Sequence, residues 1–352
     1  MDPLTWLSLG LQLAALCCIV GALLLYLLRK VRVAEVLPTD GAKTVLVTSV
    51  DTALGLQIAT YLSDRGWRVI AGCRSGGLGA RLAESWLQAH VAATPEDQQP
   101  PRLATLELDV AREDLLEEAA RAIAQHLPAG EHGVWAVINT AGCGGRGAAR
   151  WEAALRGNVL GALRVARSFA PLLAAAAADH PHAGRLFYIG LTSDTACESV
   201  SQGLGLGAGQ SLGALEACET GAVCAAARWG TWGAARALRG ALRARGVRVV
   251  LLHAPDLSAL DVYAPPAQLS APSQPASRPE SPSSDISGAS ASASCAVTMP
   301  GEAAEYSAKV LPAAALRLLE DALTTPAPKD SYYLKLKHDS WFTRMPSLRV
   351  GH

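Results

Sequence analysis

Short apolar runs of strand length alternate with helix-length segments through most of the chain, and this alternation constrains the fold more than any other feature. The first run is Thr44–Thr48 (TVLVT), a helical stretch follows from Leu54 to Asp64, and the next run is Trp67–Ala71. Further strand candidates are Leu103–Leu108, Val134–Asn139, Leu186–Ile189 and Val247–Leu252. Such repetition predicts an α/β fold, a doubly wound parallel sheet with helices on both faces.

The composition is that of a chain with a large buried core. Half of the 352 residues are apolar and 18% are charged, which excludes a disordered polypeptide. Lys plus Arg and Asp plus Glu both number 31, so there is no global positive field to bind nucleic acid. The eight cysteines include no zinc-type spacing, and we expect scattered reduced thiols and no metal site.

An uncharged apolar segment, Thr5–Leu28, lies near the start of the sequence and is long enough to cross a bilayer, which takes ~20 residues. Only Met-Asp-Pro-Leu precedes it, and three basic residues follow at once, Arg29, Lys30 and Arg32. This pattern favours an uncleaved anchor over a cleaved signal peptide, and the positive flank predicts that the remainder is cytosolic. We therefore expect a transmembrane anchor at 1–30 and a linker at 31–42; a buried core helix is the alternative.

The strand–helix pattern stops after residue 255. Residues 256–302 are rich in Ser, Pro and Ala and hold too few apolar side chains to offset the entropy of ordering, so we predict a disordered insert. Helical periodicity resumes over Ala303–Leu323. The tail that follows, within 303–352, mixes aromatic and basic residues, which suits either a packed terminal segment or one lying on a membrane surface.

The turn after the first strand, Thr48 to Gly55 (TSVDTALG), resembles the T-G-x-x-x-G-x-G turn of short-chain dehydrogenases/reductases. Turns of this kind bring backbone amides close to a pyrophosphate at the start of the following helix. Gly55 matches one glycine of the motif, while Ser49 and Ala53 stand in the other two glycine places.

Further sequence motifs of the same family follow along the chain in the family's order. Leu106–Val110 resembles the L-D-V segment, whose Asp contacts the adenine ring; here it is Asp109. Asn139–Gly142 is similar to N-N-A-G and Asn158–Gly161 matches N-x-x-G. The chain's only two asparagines fall on the family's asparagine positions, which chance rarely arranges. Three later motifs extend the resemblance over residues 43–255. Gly184–Ile189 resembles the family's G-R-V-V-N-V, Gly246–Val249 resembles G-V-K-V, and Ala254–Pro255 resembles P-G.

The resemblance implies a Rossmann-like fold. Three short sequence motifs resemble the hydroxybutyrate, retinol and 17β-hydroxysteroid dehydrogenase branch in particular: Asp51-Thr52, Arg68–Cys73 and Gly133–Trp135. Members of that branch are commonly membrane-associated and oxidise secondary alcohols of lipids, steroids or retinoids with NAD(H). For this chain the expected partners are a lipid-like small molecule, a membrane and, as an option, a second copy in a homodimer. No acidic residue ends the second strand and Arg74 is close by, so NAD and NADP both stay open. The resemblance implies cofactor contacts at Thr48, Ser49, Asp51, Ala53, Gly55, Arg74, Asp109, Asn139, Ala141, Gly142, Arg228 and Pro255.

The catalytic positions depart from the family, whose chemistry uses a Ser, a Tyr and a Lys. Aligning Arg228-Trp229-Gly230 with the usual K-F-G places Cys224 at the Tyr position and Arg228 at the Lys position. A thiol cannot reach the place of a phenol oxygen, and an arginine cannot lose a proton.

Of the catalytic positions, only Asn158 is kept. The Ser position falls on Gly190 or Leu191, with the hydroxyls of Thr192 and Ser193 one or two residues beyond it.

Two functions follow from these observations. The first is a membrane-anchored oxidoreductase of lipid-like alcohols, facing the cytosol from the endoplasmic reticulum, with a rearranged or weakened proton donor. The second is a catalytically inactive protein of the same fold that acts as a binding or regulatory partner. Fold membership does not choose between them, because function depends on the site.

Overall fold

The computed structural model describes residues 12, 14–21, 23, 43–94, 100–142, 151–190, 212–254, 263–269, 296–298 and 305–334. The chain divides into two units, Met1–Gly41 and Ala42–His352. In the first unit the described residues are helical, and four of their apolar side chains are more than half exposed: Leu16, Ile19, Val20 and Leu23. The rest of the predicted anchor lies outside the described residues.

The second unit is built on a seven-stranded sheet in which every neighbouring pair is parallel. Its strands are β1 (Thr44–Val47), β2 (Arg68–Cys73), β3 (Arg102–Glu107), β4 (Ala136–Asn139), β5 (Arg185–Gly190), β6 (Arg248–His253) and β10 (Ser331–Tyr333). Their order across the sheet is β10-β6-β5-β4-β1-β2-β3. The strands β1 and β4 at its centre are fully buried, which is why their sequences are continuous apolar runs. The expected doubly wound, Rossmann-like parallel sheet is confirmed.

The helices pack in two groups. They are α1 (Ala53–Asp64), α2 (Leu78–Ala93), α3 (Glu113–His126), α4 (Trp151–Leu155), α5 (Gly161–Asp179), α6 (Leu212–Arg243) and α7 (Ala313–Thr324), with a π-helical turn at Arg156–Leu160 between α4 and α5. Helix α1 contacts α2 and α7, while α5 contacts α3 and α6. Two groups of helices cover the apolar faces of a single sheet, as the doubly wound pattern requires.

The stretch Trp151–Asp179 is long and apolar enough to cross a membrane, and it is the only such helix among the described residues. Half of the most apolar part of this stretch is buried, and the side chains of Val165, Phe169 and Leu173 are fully inaccessible within the core. Packing of α5 in the core accounts for its apolar character.

A small antiparallel sheet lies partly inside the range for which the sequence predicts disorder. Its strands are β7 (Ala267–Leu269), β8 (Ala296–Thr298) and β9 (Glu305–Ser307), in the order β7-β9-β8. Strands β7 and β8 fall within 256–302, so this insert is structured at two places, while 270–295 lie outside the described residues. Three short strands satisfy their backbone groups by pairing with one another, a long-range effect that composition does not register.

The last helix begins ten residues later than its periodicity predicts. Helix α7 starts at Ala313, directly after Pro312, and residues 305–307 form β9 instead. Proline lacks an N–H and is tolerated at the start of a helix but not in its interior. The tail enters the main sheet as β10, which pairs with β6, so the described part of the tail is packed.

A buried arginine fixes α7 to the sheet. The side chain of Arg185, at the start of β5, is fully inaccessible, and its guanidinium donates to the backbone carbonyls of Ala322 and Thr325 at the end of α7. Burial, with a contribution from nearby Arg248, lowers its pKa to about 10. The guanidinium thus satisfies helix-end carbonyls that lack an intrahelical partner.

We expect Arg185→Ala to lower the free energy of unfolding by about 2–4 kcal/mol, because two carbonyl acceptors lose a buried donor. Urea unfolding followed by circular dichroism measures this change. The matched control is Arg248→Ala, an exposed arginine paired with Arg185 in register, which should change stability by less than about 0.5 kcal/mol. Equal losses in the two variants would contradict this account of α7.

Candidate functional site

The candidate site lies where β1 and β4 end. These neighbouring strands mark the point where the strand order reverses, since the chain proceeds to β2 on one side and returns to β4 on the other. Ligands of open α/β sheets bind in the crevice beyond the carboxyl ends of strands at such a point.

Side-chain hydrogen bonds tie the two strand ends together. The Thr48 hydroxyl donates to the Asn139 side-chain oxygen at 2.8 Å. The Thr140 hydroxyl donates to the Ser49 carbonyl at 3.1 Å and accepts from the Ser49 N–H at 3.2 Å. Three of these four residues are almost wholly buried, so the turn after β1 is fixed against the end of β4.

The start of α1 depends on a glycine. A Cβ on Gly55 would lie 1.8 Å from the Ser49 carbonyl oxygen, which no side chain permits. Thr52 is the N-cap of α1: its hydroxyl accepts from the Gly55 N–H at 3.0 Å and donates to the Ser49 carbonyl at 3.0 Å. This network holds the first turn of α1 against the loop.

The two glycine replacements in the turn fit without backbone strain. No described residue other than glycine has a positive φ, so Ser49 and Ala53 both adopt conformations open to any L-residue. Serine and alanine at these two positions therefore introduce no left-handed backbone strain into the turn.

Asp51 connects this turn to the end of β2. Its buried carboxylate accepts from the backbone N–H groups of Arg74 at 2.7 Å and Gly79 at 3.3 Å. The Arg74 guanidinium lies 3.6 Å from the same carboxylate, and its side chain is 70% exposed. A basic group thus stands at the edge of the crevice, directly after β2.

The remaining predicted cofactor contacts lie along the carboxyl edge of the sheet. Asp109 follows β3 and accepts from the Ala111 N–H at 2.9 Å. Ala141, buried, and Gly142 follow β4. Pro255 lies outside the described residues.

The π-helical turn positions Asn158. The backbone carbonyl of Asn158 accepts from the Thr231 hydroxyl of α6 at 2.9 Å, and Gly230 packs against Val159. Turns of this type often occur at functional sites because they redirect backbone groups. Sequence reasoning missed Thr231, although it directly follows the Arg-Trp-Gly word.

The catalytic positions are only partly described. Cys224 and Arg228 lie on α6, but their side chains are not among the described groups. Gly190 ends β5, while Leu191 and the two hydroxyl residues after it lie outside the described range. Within that range, no three His, Cys, Asp or Glu residues are grouped to hold a metal ion.

A segment from the insert enters the crevice, and sequence reasoning did not foresee it. The Ala264 carbonyl accepts from the Ala53 N–H at the start of α1 at 2.8 Å. A Cβ on Gly142 would lie 2.3 Å from the ring of Tyr263 and 2.0 Å from the side-chain oxygen of Asn158. A segment of the chain itself therefore contacts this crevice at two points, at Ala53 and at Gly142.

We expect Gly55→Ala to lower the free energy of unfolding by about 1–3 kcal/mol or more, because its methyl group would overlap the Ser49 carbonyl. The matched control is Gly233→Ala, a helical glycine whose Cβ would meet no atom within 4 Å. That change should stabilise the protein by about 0.5–1 kcal/mol. Urea unfolding of both variants measures the difference, and a stable Gly55→Ala protein would show that the turn is not tightly packed.

Comparisons with known proteins agree with this architecture. A family model described as short chain dehydrogenase matches residues 43–190. The chain is 29% identical over 165 residues to the mitochondrial D-beta-hydroxybutyrate dehydrogenase of Bos taurus, a match that covers 44% of this chain and 45% of that protein. It is 31% identical over 157 residues to the 17-beta-hydroxysteroid dehydrogenase type 6 of Bos taurus, covering 43% and 45%.

The chain therefore spans less than half the length of these relatives. Among solved structures it is similar to an alcohol dehydrogenase from the archaeon Thermococcus sibiricus complexed with 5-hydroxy-NADP, at 19% identity and a TM-score of 0.43, covering 60% of this chain and 76% of that one. On the matched family model and the parallel sheet, residues 43–190 match the short-chain dehydrogenase/reductase family, and the chain resembles the branch of the hydroxybutyrate and 17-beta-hydroxysteroid dehydrogenases.

Proposed function

We propose that this protein is a membrane-anchored oxidoreductase that binds NAD or NADP and converts a lipid-like secondary alcohol, such as a hydroxy acid or a steroid. The observation that carries the proposal is the unstrained turn after β1, tied by Thr48 and Ser49 to Asn139 and Thr140. The printed names of the relatives, a hydroxybutyrate and a hydroxysteroid dehydrogenase, support this substrate class.

The proposed roles follow the geometry of the edge. A bound dinucleotide supplies hydride transfer. The first turn of α1 offers backbone N–H groups to its pyrophosphate, with Ala53 at the first helical position. Asp109, Ala141 and Gly142 line the edge on either side of that turn. The Arg74 charge favours a 2′-phosphate and the Asp51 carboxylate opposes it, so either dinucleotide suits this end of the crevice.

A second candidate function, an inactive binding or regulatory protein, is favoured by the residues at the catalytic positions. Cys224, Arg228 and Gly190 or Leu191 stand where the family has Tyr, Lys and Ser. General acid–base catalysis needs heavy atoms within about 2.6–3.2 Å, and a thiol sulfur lies several ångströms short of a phenol oxygen.

Turnover separates the two candidates. For the oxidoreductase we expect slow turnover of hydroxybutyrate or a hydroxysteroid, and a gain of about 10²- to 10⁴-fold in Cys224→Tyr/Arg228→Lys/Leu191→Ser, which restores the proton donor. The matched control replaces Cys218 by Tyr, which adds the same phenol elsewhere on α6. If the wild-type protein binds the dinucleotide but turns over none of these substrates, the inactive binding or regulatory protein is favoured.

The proposed anchor is Thr5–Leu28, in the endoplasmic reticulum membrane with the remaining chain in the cytosol. Arg29, Lys30 and Arg32 follow the apolar run directly, which supports this orientation. In sealed microsomes we expect added protease to digest the domain and to leave a short protected fragment, with detergent-opened microsomes as the control. Protection of the whole domain would contradict the orientation.

A homodimer is the proposed assembly. Helices α4 to α6 and the π-helical turn expose several large apolar side chains, and apolar surface of this kind is often used in contacts between proteins: Trp151, Leu155, Leu160, Leu163 and Trp229. The exposed fraction of Trp229 is 58%, the largest among them. We expect Trp229→Glu to convert a dimer into a monomer in light-scattering measurements. A wild-type monomer would contradict the proposal.

A further inference from the structure

Residues Tyr263–Pro266, here called the strap, lie against the crevice at the carboxyl ends of β1 and β4. The strap follows a stretch outside the described residues and leads directly into β7. Its first contact is the hydrogen bond from the Ala53 N–H to the Ala264 carbonyl, at 2.8 Å. One N–H carries one hydrogen, so a donor engaged by this carbonyl is not available to a phosphate oxygen.

The second contact closes the other end of the crevice. The ring of Tyr263 lies so near Gly142 that a Cβ there would be 2.3 Å from two ring carbons. The same position would be 2.0 Å from the Asn158 side-chain oxygen, so ring and amide together cover the backbone of Gly142. A ribose or nicotinamide approaching Gly142 meets the Tyr263 ring first.

The strap is anchored through α1 itself. Strand β7 continues the strap and pairs with β9. The segment after β9 then contacts Gln57, which lies on α1 one turn beyond Ala53. The Gln57 side-chain oxygen accepts from the N–H groups of Val310 and Leu311 at 3.0 and 2.7 Å, and its amide donates to the Leu311 carbonyl at 2.7 Å. Gln57 is 2% exposed, so these bonds are made away from water.

The strap's own composition suits a closed conformation. Pro265 and Pro266 fix two φ angles and lower the entropy that closure removes. Pro266 is buried and Tyr263 is half-buried, so closure also removes apolar surface from water.

We propose that the strap is an autoinhibitory element that occupies the dinucleotide crevice and must leave before NAD(H) or NADP(H) binds. This inference rests on the proposed dinucleotide-linked function. The strap and the dinucleotide compete for the Ala53 N–H and for the surface of Gly142. The measured dissociation constant then equals that of the open form divided by the fraction of molecules in which the strap is open, so a mostly closed strap weakens binding.

The test compares NADH binding by titration calorimetry to the wild-type protein, Tyr263→Ala and Tyr333→Ala. Loss of the Tyr263 ring should open the strap and tighten binding by about tenfold or more. Tyr333→Ala is the matched control, since Tyr333 is a 58% exposed tyrosine on the edge strand β10, and it should bind as the wild type does. Tyr263→Leu, which retains an apolar side chain, replaces the alanine variant if that variant unfolds. Equal or weaker binding by the Tyr263 variants overturns the proposal.

Amide hydrogen exchange provides a readout that does not need the dinucleotide. In the unliganded proteins, the peptide that contains Ala53 should exchange more rapidly in Tyr263→Ala than in the wild type or in Tyr333→Ala. If none of the proteins binds NADH, the proposed function fails, and faster exchange in Tyr263→Ala still supports occupancy of the crevice by the strap. Equal exchange in all three proteins overturns that occupancy.

Discussion

The contact between Gly55 and the Ser49 carbonyl is the constraint on which the rest of the site depends. Because Gly55 has no Cβ, the first turn of α1 can pack directly against the Ser49 carbonyl, where the Thr52 hydroxyl caps the helix. That approach sets the position of the Ala53 N–H above the edge of the sheet. It also sets Gln57, one turn later, against the segment that enters α7. A single backbone contact thus positions both the candidate phosphate-binding turn and the elements that cover it.

The hydrogen bonds between the ends of β1 and β4 make this arrangement rigid. Thr48 and Asn139 are buried, and a buried pair of this kind stays formed because either partner alone would lose its hydrogen bond without gaining water. At the far side of the sheet, Arg185 performs a similar task for α7, which packs beside α1. Buried polar groups therefore hold the sheet at both edges: Thr48 and Asn139 at the carboxyl ends of the strands, and Arg185 at the amino end of β5.

The sequence predicts the parts of the fold that depend on local pattern. All six strands expected from apolar runs form, within about two residues of the expected bounds, because buried parallel strands need continuous apolar side chains. The small sheet of β7, β8 and β9 could not be predicted, since its pairing is long-range and its residues lie in a stretch biased toward Ser, Pro and Ala. For the same reason the contacts of Tyr263 and Ala264 with the crevice leave no signal in the sequence. The periodicity predicts a start of α7 at Ala303, whereas the helix begins at Ala313 because Pro312 is not tolerated in a helix interior.

The site separates backbone features from side-chain features. The turn accommodates Ser49 and Ala53 because neither residue has a positive φ, whereas proton transfer in the proposed reaction would depend on the reach of the side chain at position 224. In the proposed arrangement, the chain's own strap covers a dinucleotide-binding crevice. A crystal structure determined at saturating NADH tests it most directly. The account predicts a pyrophosphate oxygen bound to the Ala53 N–H, with Tyr263 displaced from Gly142; a dinucleotide bound elsewhere, or bound with Ala264 still on Ala53, would contradict it.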